Sequence, residues 1–315
     1  MMLLTAVFAA VTIWAAESDL FKFVPRSSIC IGYFDISQLW KNPEVAKQTK
    51  KPEIENFIKK LNNTIGFSFQ DISSALVFTS LEKKGGYLIK LKKPVNLEKF
   101  FDALKKNPDM QSNHLIGRYV IKKVNNKKVF LFDAIDKSGK INKIEVAELA
   151  PGVILNTVNT SYASYINELR GIGPELRRIV KTIPNSLVWF AANVPDNPYQ
   201  ARNIALNFDL IGKQLNIQQY VCRINFETPE QATQIRALLP MYFNMGLGIL
   251  FSFDPTLGAK VAQCLKSKVA NNQVILTVTI TKQIFDEIIK YINENQEQLK
   301  NLIPNKPATK AGNSE

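Results

Sequence analysis

The chain has 315 residues, of which 46% are hydrophobic and 10% aromatic, so it can bury a sizeable core and is not a disordered polypeptide. Its formal net charge is +13, and basic side chains outnumber acidic ones by 24 to 14 between residues 24 and 170. This excess indicates either a partner of negative charge or ordinary solubilising charge.

The first 18 residues are predicted to be a secretory signal peptide. An uncharged apolar run extends from Leu3 to Ala16, which is too short to cross a bilayer as a helix. Ala16 and Ser18 place small side chains at the −3 and −1 positions of a cleavage after Ser18. No Lys or Arg precedes the run, so an uncleaved interfacial anchor is the alternative. Cleavage would make the protein secreted or periplasmic.

Three cysteines are present, namely Cys30, Cys222 and Cys264. The odd number leaves room for one disulfide in an oxidising compartment, but their spacing does not require one. Cys30 and Cys222 lie in apolar strand patterns. They are therefore predicted to be small, buried hydrophobic side chains.

The folded part of the chain is predicted to open with a strand in VPRSSICIGYF, residues 24–34. Asp35 follows, and Gln38 three residues later completes the pattern of a helix N-terminal cap. Further strands are predicted in DISSALVFTS, YLIKLKK and INKIEVAEL, and a hairpin is predicted to turn at Asn125–Asn126. The strand VILNTV then leads to Thr160, which we expect to cap another helix.

The same succession of patterns returns in the second half of the chain. IPNSLVWFAAN, residues 183–193, repeats the apolar residue, proline and serine of the first strand. YVCRINF leads into a helix with a capping box formed by Thr228 and Gln231. A second hairpin is predicted at Asn271–Asn272, and VILTVTI leads to Thr281, a further predicted cap. The strand VILTVTI can be aligned either with VILNTV or with the second strand of the hairpin at Asn125–Asn126. The register of the repeat therefore stays open.

These paired patterns predict an internal duplication. We expect an α+β fold of two related units, each a mostly antiparallel sheet with helices packed on one side. The units are predicted at residues 24–170 and 183–302, joined by a connecting helix within 171–182 and followed by a disordered tail at 303–315. In this plan the chain resembles secreted bacterial proteins of unknown function that contain two α+β repeats, each opening with an apolar-Pro-x-Ser strand. That resemblance carries no catalytic residues.

The basic residues of the first unit concentrate in two places. Lys90 and Lys92 alternate with apolar residues and so share one face of a strand, while several lysines surround the predicted hairpin turn. If these strands are neighbours, they would present one basic field. The candidate polyanion-binding patch is Lys90, Lys92, Lys93, Arg118, Lys122, Lys123, Lys127 and Lys128.

Such a patch would hold anionic envelope glycans or lipid headgroups through salt-sensitive contacts. The dominance of lysine over arginine, with few aromatic residues between the charges, argues against specific nucleic-acid recognition. Lysines on exposed strands also prevent unwanted strand pairing, which is the alternative explanation.

The sequence contains no recognisable catalytic constellation. His114 is the only histidine, which excludes most Ser–His and Cys–His pairs and any zinc site with several histidines. Asp35 and Asp254 each precede a predicted helix and are explained as caps. The glycines at 171–173 and 245–251 do not form a phosphate-binding loop, and the second group is predicted to pack in the core. We expect no cofactor.

One segment weakly resembles a calcium-binding loop. With Gly139 as the sixth residue of an EF-hand loop, Asp136, Ser138 and Glu145 take the third, fifth and twelfth positions. The first position falls on Ala134, which has no ligand, and a strand rather than a helix precedes the loop. A Ser-Gly hairpin turn is therefore the preferred interpretation.

Together these patterns predict an exported, non-enzymatic envelope protein with a binding or structural role. One alternative is a binder of polyanions or anionic membranes that uses the lysine-rich first unit. A more remote alternative is a carboxylate-based hydrolase, which requires two acidic side chains facing each other across a pocket.

Overall fold

The computed structural model describes residues 19–52, 55–56, 58–59, 62, 68–80, 85–106, 115–135, 141–194, 197, 200–211, 216–296 and 298–299. The predicted signal peptide and the predicted tail lie outside these residues, as do His114, Asp136 and Ser138. No helix within the described part of the chain is long and apolar enough to span a bilayer.

Within the described residues, twelve strands form one antiparallel sheet in the order β11-β12-β10-β9-β8-β1-β2-β3-β7-β6-β5-β4. The strands are β1 (Ser28–Phe34), β2 (Ile72–Ser80), β3 (Gly85–Leu91), β4 (Leu115–Val124), β5 (Lys127–Ile135), β6 (Ile141–Ala150), β7 (Val153–Val158), β8 (Val188–Asn193), β9 (Ala201–Ile211), β10 (Ile217–Phe226), β11 (Leu265–Ala270) and β12 (Gln273–Thr281).

The helices connect and cover these strands. They are α1 (Ile36–Lys41), α2 (Pro43–Thr49), α3 (Leu97–Lys106), α4 (Tyr162–Ile166), α5 (Pro174–Lys181), α6 (Pro229–Leu250), α7 (Pro255–Gln263) and α8 (Lys282–Glu294).

The prediction of two units, each with its own sheet, is wrong. Strand β1 pairs with β8 along Cys30–Phe34 and Val188–Ala192, so both halves of the chain belong to one continuous sheet. From this pair the order runs β1, β2, β3, β7, β6, β5, β4 on one side and β8, β9, β10, β12, β11 on the other. The paired strands β1 and β8, and the two VIL strands β7 and β12, therefore take corresponding positions in a single sheet, whereas the Asn-Asn hairpins β4–β5 and β11–β12 do not.

Helices cover both faces of the sheet, which also corrects the expectation that they pack on one side. Neighbouring residues of β7 show this, because successive side chains of a strand point to opposite faces. Leu155 belongs to a core cluster with Tyr162 of α4 and Leu176 of α5, whereas Ile154 packs in a cluster with Phe101 of α3. We call these the α5 face and the α3 face. In the second half, α6 packs on the α3 face.

Several local predictions are confirmed. Asp35 caps α1 by accepting a hydrogen bond from the backbone N–H of Gln38 at 2.9 Å. Thr228 and Gln231 form the predicted capping box of α6, and Thr281 caps α8. These caps satisfy backbone N–H groups that the first turn of a helix leaves without partners.

The hairpin turns are also where the sequence places them. Asn125 and Asn126 have φ of 48° and 62°, and Asn271 has φ of 55°, the left-handed conformation that a tight hairpin turn requires. The cap of α4 is displaced by one residue from its prediction. Ser161 caps this helix, and the Thr160 hydroxyl donates to a backbone carbonyl instead.

The glycine-containing segment at 245–251 is not simply core. It forms the end of α6, and only one side of the helix is buried, by Leu247 and by Phe251 just beyond its end. The opposite side carries five apolar residues that are 43–59% exposed: Leu238, Met241, Tyr242, Met245 and Ile249. The expectation of core packing is therefore wrong for this outer side.

Candidate functional site

The predicted lysine patch lies at one end of the sheet, but its two parts are not on neighbouring strands. Strands β7 and β6 separate β3 from the β4–β5 hairpin, which corresponds to roughly 14 Å to β5 and roughly 19 Å to β4 at about 4.8 Å per strand. The strand pairing nevertheless places both parts at the same end of the sheet. Lys90 of β3 is paired with Val153 at the start of β7, and Val153 is paired with Ala150 at the end of β6. The next strand, β5, begins at this same end with Lys127. We call this end the lysine rim; it consists of Lys90, Lys92, Lys93, Lys122, Lys123, Lys127 and Lys128.

Three lysines of the rim have partners. Lys90 Nζ lies 3.4 Å from Oδ2 of Asp19, and Lys128 Nζ lies 2.8 Å from Oε2 of Glu98. Lys92 donates a hydrogen bond to a backbone carbonyl at 2.7 Å. These contacts hold the three side chains in place and partly offset two of the charges.

The other four lysines have no acidic partner within 4 Å among the residues that the structure describes: Lys93, Lys122, Lys123 and Lys127. Lys122 pairs with the buried Val129 and so lies on the α5 face, whereas Lys123 lies on the α3 face opposite Lys128. The charges therefore project from both sides of the turn, as a rim rather than one face. The side chain of Arg118 lies outside the described residues.

The carboxylate of the weak calcium pattern has a structural role. Oε2 of Glu145 accepts a hydrogen bond from the backbone N–H of Tyr162 at 2.6 Å, so this side chain caps α4 from strand β6. Within the described residues, no group of three or more His, Cys, Asp or Glu side chains is placed to hold a metal ion. The other two proposed ligands, Asp136 and Ser138, lie outside those residues.

A polar cleft of about 860 Å³ lies on the α5 face between α5 and strands β8–β10. Two carboxylates line it. Glu175 accepts a hydrogen bond from the Asn193 amide at 2.7 Å, and Glu227 pairs with Arg202 at 3.1 Å. Both carboxylates are exposed, whereas a glycosidase acid normally needs an apolar, desolvated environment.

A second cleft, of about 400 Å³, runs along α5 from Pro174 to Lys181. Its lining residues are Arg26, Arg170, Ile172, Pro174, Arg177, Arg178 and Lys181. Five of these seven are basic and none is acidic. The sequence did not lead us to predict this basic group. Its one local sign is the spacing of Lys181, which follows Arg177 by four residues and Arg178 by three, so that the three side chains lie near one another on a helix.

All three cysteines are free thiols. Cys30 and Cys222 are partly buried within strands, and burial raises the pKa of both thiols. A thiol with a raised pKa is a poor nucleophile at neutral pH, so these positions favour packing over reactivity.

Comparison of the chain with protein-family profiles, curated proteins and solved structures finds no match.

Proposed function

We propose that the protein is an exported, non-enzymatic binding protein of the cell envelope whose lysine rim binds an anionic envelope glycan. The observation that carries this proposal is the group of four lysines without acidic partners at one end of the sheet, Lys93, Lys122, Lys123 and Lys127. Unpaired charges grouped in this way attract a polyanion and gain from the release of its counterions.

Lysine supplies charge without the rigid fork of arginine, so binding at the rim depends on charge density more than on ligand geometry. The rim also projects to both sides of the β4–β5 turn, which suits a flexible polymer better than a small ligand. Contacts of this kind are screened over about 10 Å at 0.1 M salt. Salt-sensitive binding of several chemically different polyanions is the expected property.

The proposal of export is supported by the residues that follow the predicted cleavage site. Leu20 is fully buried and Phe21 is 6% exposed, so two of the first three residues after Ser18 belong to the core. Cleavage there would leave Asp19 as the first residue, beside Lys90. N-terminal sequencing of exported protein should begin at Asp19; protein that retains residues 1–18 would contradict signal cleavage.

Heparin affinity chromatography tests the lysine rim. We expect retention at low salt and elution below about 0.5 M NaCl, with earlier elution of the double variant Lys122→Gln/Lys127→Gln. The matched control is Lys266→Gln/Lys268→Gln, which removes two exposed lysines from β11 at the opposite edge of the sheet. Lack of retention, or an equal shift in both variants, would contradict the proposal.

A carboxylate-based hydrolase is the second candidate, because Glu175 and Glu227 line the same polar cleft. It predicts release of reducing sugar from envelope glycans by the unmodified protein and no release by Glu175→Gln. A protein that releases no sugar at acidic or neutral pH would remove this candidate.

A further inference from the structure

The cleft beside α5 is built from segments that are far apart in the chain. Pro25 forms an isolated antiparallel bridge with Leu169, and the backbone N–H of Arg26 donates to the carbonyl of Glu168 at 3.3 Å. A Cβ atom at Gly173 would lie 3.0 Å from the Arg26 carbonyl oxygen, so the backbones are in close contact there. These contacts hold Arg26 against the segment that carries the other four basic residues.

The wall formed by α5 is equally fixed. Leu176 and Ile179 are 2% and 4% exposed and anchor the helix to the sheet, so its basic side chains point outward. Gly171 has φ of +77°, and a Cβ atom there would lie 3.6 Å from Nη2 of Arg177. The guanidinium group therefore lies close to the backbone at the edge of the cleft.

None of the five basic side chains has an acidic partner within 4 Å among the described residues. The nearest carboxylates in the sequence have other contacts. Glu168 accepts a hydrogen bond from the Ser27 hydroxyl at 3.0 Å, and Glu175 accepts one from Asn193 in the polar cleft. Five like charges around one cleft repel one another, and a bound anion removes that repulsion.

We propose that this arginine cleft, formed by Arg26, Arg170, Arg177, Arg178 and Lys181, binds a phosphate group. Four of its five basic residues are arginines, whose planar guanidinium groups match phosphate oxygens with paired hydrogen bonds. A volume of about 400 Å³ leaves room for the group that carries the phosphate.

This site is separate from the lysine rim. Arg26 precedes the start of β1, where Ser28 pairs with Ser80, whereas Lys90 lies at the far end of β3, near the pairing of Leu91 with Ile72. The two basic sites therefore lie at opposite ends of the strands and share no residue. Phosphate binding at the arginine cleft does not depend on polyanion binding at the rim.

Titration calorimetry of the full chain with inorganic phosphate tests the proposal. We expect saturable binding that Arg26→Gln/Arg177→Gln weakens by about tenfold or more. These two residues line only the arginine cleft, so the polar cleft stays intact. Lys266→Gln/Lys268→Gln removes the same charge elsewhere and should change the affinity less than about twofold. A variant with Lys in place of Arg26 and Arg177 keeps the charge but loses the fork, and should bind with intermediate affinity.

A second arm distinguishes the source of the phosphate. Vesicles of phosphatidylcholine with and without phosphatidic acid present the same group on a lipid surface. Binding of inorganic phosphate assigns a free phosphate compound, and binding of the phosphatidic acid vesicles alone assigns a lipid headgroup. In either case Arg26→Gln/Arg177→Gln must weaken the binding by about tenfold or more while thermal unfolding stays unchanged. Failure of both probes to bind, or equal loss in the β11 control variant, overturns the proposal.

Discussion

Gly32, in the middle of the sheet, has no space for a side chain. A Cβ atom there would overlap with the ring of Phe190 on the neighbouring strand β8 and would lie 2.9 Å from Cγ2 of Val77 on β2. We predict that Gly32→Ala lowers the free energy of unfolding by about 1–3 kcal/mol, because these neighbours must move. Urea denaturation measures the change.

Gly246→Ala is the matched control, since a Cβ atom at Gly246 in α6 meets nothing within 4 Å. Alanine favours a helix over glycine by up to about 1 kcal/mol, so this variant should be neutral or more stable. If both variants had the same effect, the overlap at Gly32 would not be the cause.

A second prediction concerns the hydrogen bond from the Tyr119 hydroxyl to Oδ1 of Asp102, at 2.6 Å. This bond, together with the nearby negative charges, raises the pKa of Tyr119 to about 12. The unfolded chain therefore releases this proton at lower pH than the folded protein. The contribution to stability is complete below pH 10 and is lost between about pH 10 and 12.

Absorbance of the phenolate group checks the prediction. In a pH titration, Tyr119→Phe should lack one phenol that titrates near pH 12, and Asp102→Asn should shift one phenol to lower pH. If the phenol that is missing in Tyr119→Phe instead titrates near pH 10, the hydrogen bond to Asp102 does not raise the pKa of Tyr119.

At the scale of elements, the β4–β5 hairpin depends on its turn. Asn125 and Asn126 both have positive φ, which costs most residues about 1–2 kcal/mol each. We predict that Asn126→Gly leaves stability unchanged or slightly higher, whereas Asn126→Val lowers it by about 1–2 kcal/mol. Thermal unfolding of the two variants provides the comparison, and equal stabilities would contradict the turn conformation.

Elements of this kind could be predicted because their signals are local. The caps at Asp35 and Thr228 and the Asn-Asn turns involve residues within three or four positions of one another. The pairing of β1 with β8 has no such local signal. Gly32 and Phe190 are partners in the sheet but lie 158 positions apart, and neither residue type predicts the other.

The candidate sites show the same contrast between signals from neighbouring residues and contacts between distant segments. The lysines around the β4–β5 turn were predictable from a short segment, although their division between two sheet faces was not. Four basic residues of the arginine cleft lie close together in the sequence, between Arg170 and Lys181, but Arg26 joins them only through long-range contacts such as the bridge between Pro25 and Leu169. A sequence pattern shows which residues are charged, but not which distant segments meet.

At the scale of the whole molecule, one continuous sheet predicts one cooperative unfolding transition. Trp189 on β8 stacks on Tyr33 of β1, with ring centroids 5.6 Å apart, so its fluorescence reports on the join between the halves. In a Trp14→Phe/Trp40→Phe background, which leaves Trp189 as the single tryptophan, urea curves from this fluorescence and from far-ultraviolet circular dichroism should coincide. Two separated transitions would indicate that the halves unfold independently.

The central position of β1 also has a consequence for how the protein is made. Its strand partner β8 leaves the ribosome some 150 residues later, so β1 waits with one edge unpaired while about half of the chain is synthesised. An exposed edge of this kind invites aggregation. Premature folding of the first half would therefore be a hazard, and the protein should depend on a holding chaperone until β8 has been made.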